Sequence, residues 1–139
     1  GTLRKLVGPV EPSSIFFRLS VAGTRPPHQF HTDGKIAGAL GIVYLTRDED
    51  CLPGAGTAVA RHEGGLDRHP ETDDEIVTWR RDHSDPSRWQ VLDFAPMRLG
   101  RLVLIPGHLI HAAFPRDGFG STAADGRLVL VTFFNRRDP

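Results

Sequence analysis

The sequence has a single cysteine, no surplus of either charge and no long apolar run. Cys51 has no second cysteine to pair with, so the fold does not depend on a disulfide or an oxidising compartment. A nucleophilic role is not expected of it either, because it lies in the turn-like stretch Asp50-Cys51-Leu52-Pro53-Gly54 with no adjoining histidine. Basic and acidic residues number 17 each, so neither nucleic acid nor an anionic membrane is expected as a partner. No apolar run approaches the roughly 18 residues of a membrane helix. No secretory signal, internal repeat or low-complexity tract is visible, and a cytoplasmic enzyme is the expectation.

What is present reads as β. At 139 residues the chain is one domain (1–139), large enough for a core without structural staples. Its apolar segments are short, rich in β-branched and aromatic residues, and separated by Gly and Pro. Strands are expected near 14–22, 37–46, 56–61, 89–94, 101–106, 109–114 and 127–135. The last is apolar on both faces, which suits a buried sheet of a sandwich or barrel. Strand alternation places Arg127 on the face of Val129, Val131 and Phe133, where an inward guanidinium needs an anionic partner.

Residues 62–88 form a polar insertion containing His62, His69 and His83. Within it, Thr72-Asp73-Asp74-Glu75 fits a capping box and predicts a short helix near 73–82. The three histidines have no ligand spacing with one another and read as exposed or substrate-loop residues. Loop 115–126 is small and polar and is expected to be flexible.

The chemistry lies in His31-Thr32-Asp33-Gly34 and a distant histidine. On an extended segment residues i and i+2 point the same way, so His31 and Asp33 reach one ion while Thr32 turns away. His-x-Asp alone is a weak signal. The ordered series is sharper: His-x-Asp, an apolar strand closed by Pro106-Gly107, a histidine, then Gly126-Arg127 opening an apolar strand. Two histidines and one carboxylate hold non-haem Fe(II) on one face and leave three positions open. His111, two residues into an expected strand, is preferred as third ligand over His108, which follows Pro106-Gly107 in the turn. His28 reads as a rim histidine. Arg127 supplies a fixed cation for an acidic co-substrate.

This arrangement resembles the Fe(II)/2-oxoglutarate-dependent oxygenases. It is most similar to small bacterial proteins of the prolyl-hydroxylase-like branch, with His31-Thr32-Asp33-Gly34, Gly56-Thr57-Ala58 and Arg61-His62. The likeness runs from about Phe30 to Phe134 and is least in 64–88. It implies an all-β double-stranded β-helix, or jelly roll, with a short helix in the insertion. It also implies His31, Asp33 and His111 as catalytic iron ligands, Arg127 as the co-substrate clamp, and Tyr44, the only tyrosine, as its helper. The implied reaction consumes dioxygen and 2-oxoglutarate to hydroxylate a C–H bond, with ascorbate as a candidate reductant. Asp33 argues for hydroxylation, since halogenating members lack that carboxylate. The sixteen residues from His111 to Arg127 are more than is usual in that branch, which makes Arg116, in the loop, a rival clamp. Supporting helices commonly precede the first core strand in the family, and residues 1–14 are too few to supply many.

The substrate is a small molecule, an amino acid or a peptide. Arg61, Arg68, Arg80, Arg81 and Arg88 either attract an acidic substrate or simply solvate the insertion. Two other classes remain open: a cupin-like metalloprotein that does not use 2-oxoglutarate, and a non-catalytic binding domain on the same fold. Cupins usually offer His-x-His and Glu, and would not need Arg127.

Overall fold

The computed structural model describes residues 10–34 and 38–136. In chain order the elements are β1 (Val10–Ser20), β2 (Ala39–Tyr44), β3 (Gly56–His62), α1 (Asp73–Asp82), β4 (Trp89–Pro96), β5 (Leu102–Pro106), β6 (His111–Phe114) and β7 (Arg127–Arg136). Every expected strand is present, although β6 begins at His111 itself rather than at 109, and the helix has the expected bounds. The expected start of the second strand at residue 37 lies outside the described residues. β1 begins at Val10 rather than 14 because Pro12 is tolerated on an edge strand, where a bulge between Pro12 and Ser14 absorbs it.

The strands form two antiparallel sheets, ordered β1-β7-β2-β5 and β4-β3-β6. His31 pairs with His111 as an isolated antiparallel bridge, which lays the 28–33 segment beside β6. The chain crosses repeatedly between the sheets, giving an all-β, jelly-roll-like arrangement. Between them lies the main core, built on alternate residues of the larger sheet: Leu40, Ile42, Tyr44, Ile105, Val129 and Val131. Register pairs Ile42 with Val131 on one side and with Val103 on the other.

The two apolar faces of β7 are buried unequally. Val129 and Val131 are enclosed, whereas Leu128 and Leu130 are half-buried on the outer face beside the exposed Ile15, Phe17 and Leu19 of β1.

A second core lies outside the smaller sheet, where Phe30, Ala60, Trp89, Ile110 and Ala112 pack beneath the insertion. The capping box starts α1: Thr72 accepts from the Glu75 amide, and the Glu75 carboxylate accepts from the Thr72 amide. Its far end is fixed by polar contacts. Trp79 Nε1 donates to the Phe30 carbonyl at 2.7 Å, and Trp89 Nε1 donates to the Asp82 carbonyl at 2.8 Å. His62 is therefore not an exposed or substrate-loop residue. It is buried, its Nε2 donating to Asp82 Oδ2 at 2.8 Å while Nδ1 accepts from the Gly64 amide. The missed signal was its place at the end of an apolar strand. Asp82→Ala should leave the buried His62 donor unpaired and cost about 1–3 kcal/mol in urea unfolding, with metal binding retained.

Loop 115–126 is also more ordered than its composition suggests. Phe119 enters the core, and backbone bonds tie Ala22 to Gly120 and Gly23 to Asp117. Gly118 has φ +68°, and a Cβ there would lie 2.4 Å from the Val21 carbonyl, so the close approach needs glycine.

Candidate metal centre

The bridge between residues 31 and 111 brings the two chosen histidines side by side, their ring centroids 4.6 Å apart. The Asp33 amide donates to the Gly107 carbonyl, which docks the His-x-Asp segment on the turn before β6. Asp33 Oδ2 then lies 3.0 Å from His111 Nε2, and Oδ1 lies 3.9 Å from His31 Nε2. All three ligand atoms fall within 4.8 Å of one another. Donors bound to one first-row ion at about 2.1 Å and right angles lie about 3 Å apart, so the cluster is close to metal-binding geometry.

The tautomers fit as well. His31 Nδ1 meets the Gln29 carbonyl at 3.1 Å, and His111 Nδ1 meets the Leu109 carbonyl at 3.0 Å. A carbonyl only accepts, so Nδ1 carries the hydrogen in both rings and each neutral ring turns the Nε2 lone pair inward. A lone pair 3.0 Å from a carboxylate oxygen requires something positive between them, a proton or a metal ion. The backbone carbonyls two residues upstream are thus orienting partners of the kind that metal-bound histidines use. His31, Asp33 and His111 can together bind a metal ion.

Burial, reinforced by the neighbouring His111, lowers the His31 pKa to about 4. For Asp33, burial acts upward, but the hydrogen bond and charge of His111, with His31 and Arg18, together outweigh it and hold the carboxyl below its usual range. Between pH 6.5 and about 4 an unfolded chain protonates His31 while the folded chain does not, so stability falls as pH falls through that window. Asp33 acts in the same direction at lower pH. Urea unfolding in chelator should show a loss of about 1–3 kcal/mol between pH 7 and pH 4.5. His31→Asn should flatten the upper part of that slope.

The triad opens on a pocket between the sheets, walled by Leu40, Ile42, Thr57, Val129, Val131 and Phe133. Its volume is about 60 Å³, against roughly 10–15 Å³ for a single water, so it has room for a small ligand. Arg127 lines the same pocket at 3% exposure, on the face of Val129, Val131 and Phe133 as the alternation required. No group among the described residues hydrogen-bonds it or forms an ion pair with it, and its Nε is buried without a partner. Burial lowers its pKa, as expected for a desolvated cation that lacks an anion.

Arg116 lies off the pocket, donating through Nη1 to the Ser84 carbonyl at 3.3 Å. Tyr44 is fully buried, its hydroxyl donating to Thr57 Oγ1 at 2.8 Å, with the Ala95 carbonyl at 3.1 Å. Thr57, rather than Tyr44, stands on the pocket wall. Sequence reasoning missed Thr57, and only its alternation with Val59 on an inward face could have pointed to it.

His108 is exposed in the turn. His28 and His83 form a ring cluster with Trp79, and His69 Nδ1 lies 2.7 Å from Thr32 Oγ1, behind the metal-facing side chains. Four of the arginines in or near the insertion have local partners: Arg68 pairs with Glu75, Arg81 with Asp82 and Arg88 with Glu63, while Arg61 bonds Gln90. Burial, with the carboxylates of Asp48, Asp50 and Glu49, pushes the Cys51 thiol up, the reverse of an activated nucleophile. No helix among the described residues is long and apolar enough to cross a membrane. The chain matches no protein-family model and no curated protein.

Proposed function

We propose that the chain is a non-haem Fe(II)/2-oxoglutarate-dependent oxygenase that hydroxylates a C–H bond of a small molecule, amino acid or peptide. The observation that carries this reading is a two-His, one-carboxylate cluster sharing a pocket with a buried arginine that lacks an anion. A metal centre alone needs no inward guanidinium. A co-substrate with one carboxylate at the metal and another further in would need one.

Bound Fe(II) would supply dioxygen activation: one oxygen atom enters the substrate C–H bond, the other enters succinate, and 2-oxoglutarate loses carbon dioxide. The chain's own part is positioning. His31, Asp33 and His111 would hold the ion and leave positions for other ligands. Asp33 offsets one of its two charges. Arg127 would take the far carboxylate of 2-oxoglutarate and so orient the co-substrate in the pocket. Thr57 faces the same space, its oxygen held by Tyr44. Leu40, Ile42, Val129 and Val131 keep the inner wall apolar, which limits water around the reacting groups.

The test is Fe(II)-dependent conversion of 2-oxoglutarate to succinate by the purified chain, with and without a panel of candidate substrates. Succinate that appears with Fe(II) and oxygen and disappears in Asp33→Ala is expected. Binding of iron with no 2-oxoglutarate-dependent product would favour a metalloprotein of another kind.

A further inference from the structure

Arg127 is not the only cation facing the pocket. Arg18, on β1, also lines it, together with His31, Asp33 and His111. β1 lies beside β7, and Arg18 stands opposite Val129 while Ser20 stands opposite Arg127. Alternation puts Arg18 on the face of Phe16. Its guanidinium carbon lies 5.4 Å from the Phe16 ring centroid, and that ring in turn packs on Phe133 of the pocket wall at 5.8 Å. An aromatic platform thus steadies the guanidinium, and among the described residues no acid forms an ion pair or a hydrogen bond with it. Arg127 is enclosed, whereas Arg18 is exposed, which puts Arg18 at the mouth. Its charge reaches the pocket, where it acts against the Arg127 cation.

The charges then count as follows. A divalent ion on Asp33 leaves one positive charge, and Arg127 adds a second. The two carboxylates of 2-oxoglutarate cancel both. The charge on Arg18 remains, at the entrance of the pocket.

We propose that Arg18 is a substrate-binding residue that receives a carboxylate of the primary substrate, so that the enzyme acts on a small carboxylic acid. This inference rests on the oxygenase reading above. A carboxylate on Arg18 would tether the substrate at the rim and leave its carbon chain over the pocket. The aromatic platform favours Arg over Lys there, because a planar guanidinium stacks and bonds a carboxylate edge at once.

The test uses the full chain loaded anaerobically with Fe(II) and saturating 2-oxoglutarate. The probes are acetate, butyrate and phenylacetate, each against its amide, read by the change they cause in the visible band of the iron chelate. At least one acid should bind about tenfold more tightly than its amide in the wild type. That preference should vanish in Arg18→Gln and return in part in Arg18→Lys, with 2-oxoglutarate affinity changing less than about threefold throughout. Equal binding of acids and amides, or a preference that survives Arg18→Gln, would overturn the proposal. A large loss of 2-oxoglutarate affinity in Arg18→Gln would also overturn it, by placing Arg18 in the co-substrate clamp. Failure of the oxygenase reading looks different: no chelate band would form in the wild type before any probe is added.

Discussion

Arg127→Gln is expected to weaken 2-oxoglutarate binding to the Fe(II)-loaded protein by about 2–5 kcal/mol, the loss seen when one partner of a buried charge pair is removed. That corresponds to roughly 30-fold to several-thousand-fold in Kd. The size follows from the arginine's surroundings. It is 3% exposed, stands on an apolar strand face, and has no anion of its own among the described residues. A dicarboxylate removes the cost of that isolation, and glutamine cannot replace the paired charge. The same reasoning gives an opposite effect on the free protein. Removing an unpaired buried cation should leave stability unchanged or raise it by about 1 kcal/mol or more. Isothermal titration with saturating metal, alongside urea unfolding, checks both signs. Iron affinity should barely move, because the ligands are on other residues. Arg116→Gln should leave 2-oxoglutarate affinity intact, since its guanidinium is engaged with Ser84 outside the pocket. Equal losses in the two variants would contradict the assignment.

His111→Ala should lower affinity for a divalent first-row ion by at least about 100-fold, more than the 10–100-fold typical of losing only an outer partner of a ligand. Turnover should disappear with it. His108→Ala should leave both within about threefold. The two residues are three apart, yet one is 3% exposed with Nε2 on Asp33, and the other sits in the solvent-facing turn. Co(II) titration followed by its visible absorption separates metal loss from loss of catalysis. Comparable losses in both variants would show that the turn rearranges to use His108.

Much of this was legible because the signals were local or periodic. Period-two alternation placed Arg127, Val129, Val131 and Phe133 on one face, and all four line the pocket. The His31-x-Asp33 spacing required both side chains on one side of an extended segment, and the bridge to His111 holds them there. Thr72 and Glu75 fixed the start of α1 through a bond pattern confined to four residues. What could not be read depends on contacts between distant segments. His62 is buried because Asp82, twenty residues away, folds back over it. Loop 115–126 is held because Phe119 finds space in the core and its backbone meets 20–23. Arg18 gave no signal at all in a strand of mixed residues, and it reaches the pocket only because β1 pairs with β7.

Anaerobic addition of Fe(II) and then 2-oxoglutarate, followed by visible absorption, tests the central claim most directly. A weak charge-transfer band that saturates at one 2-oxoglutarate per iron is the predicted result. The band should be absent in His111→Ala and should need far more 2-oxoglutarate in Arg127→Gln. Iron bound at one equivalent with no band at saturating 2-oxoglutarate would contradict the assignment of this pocket.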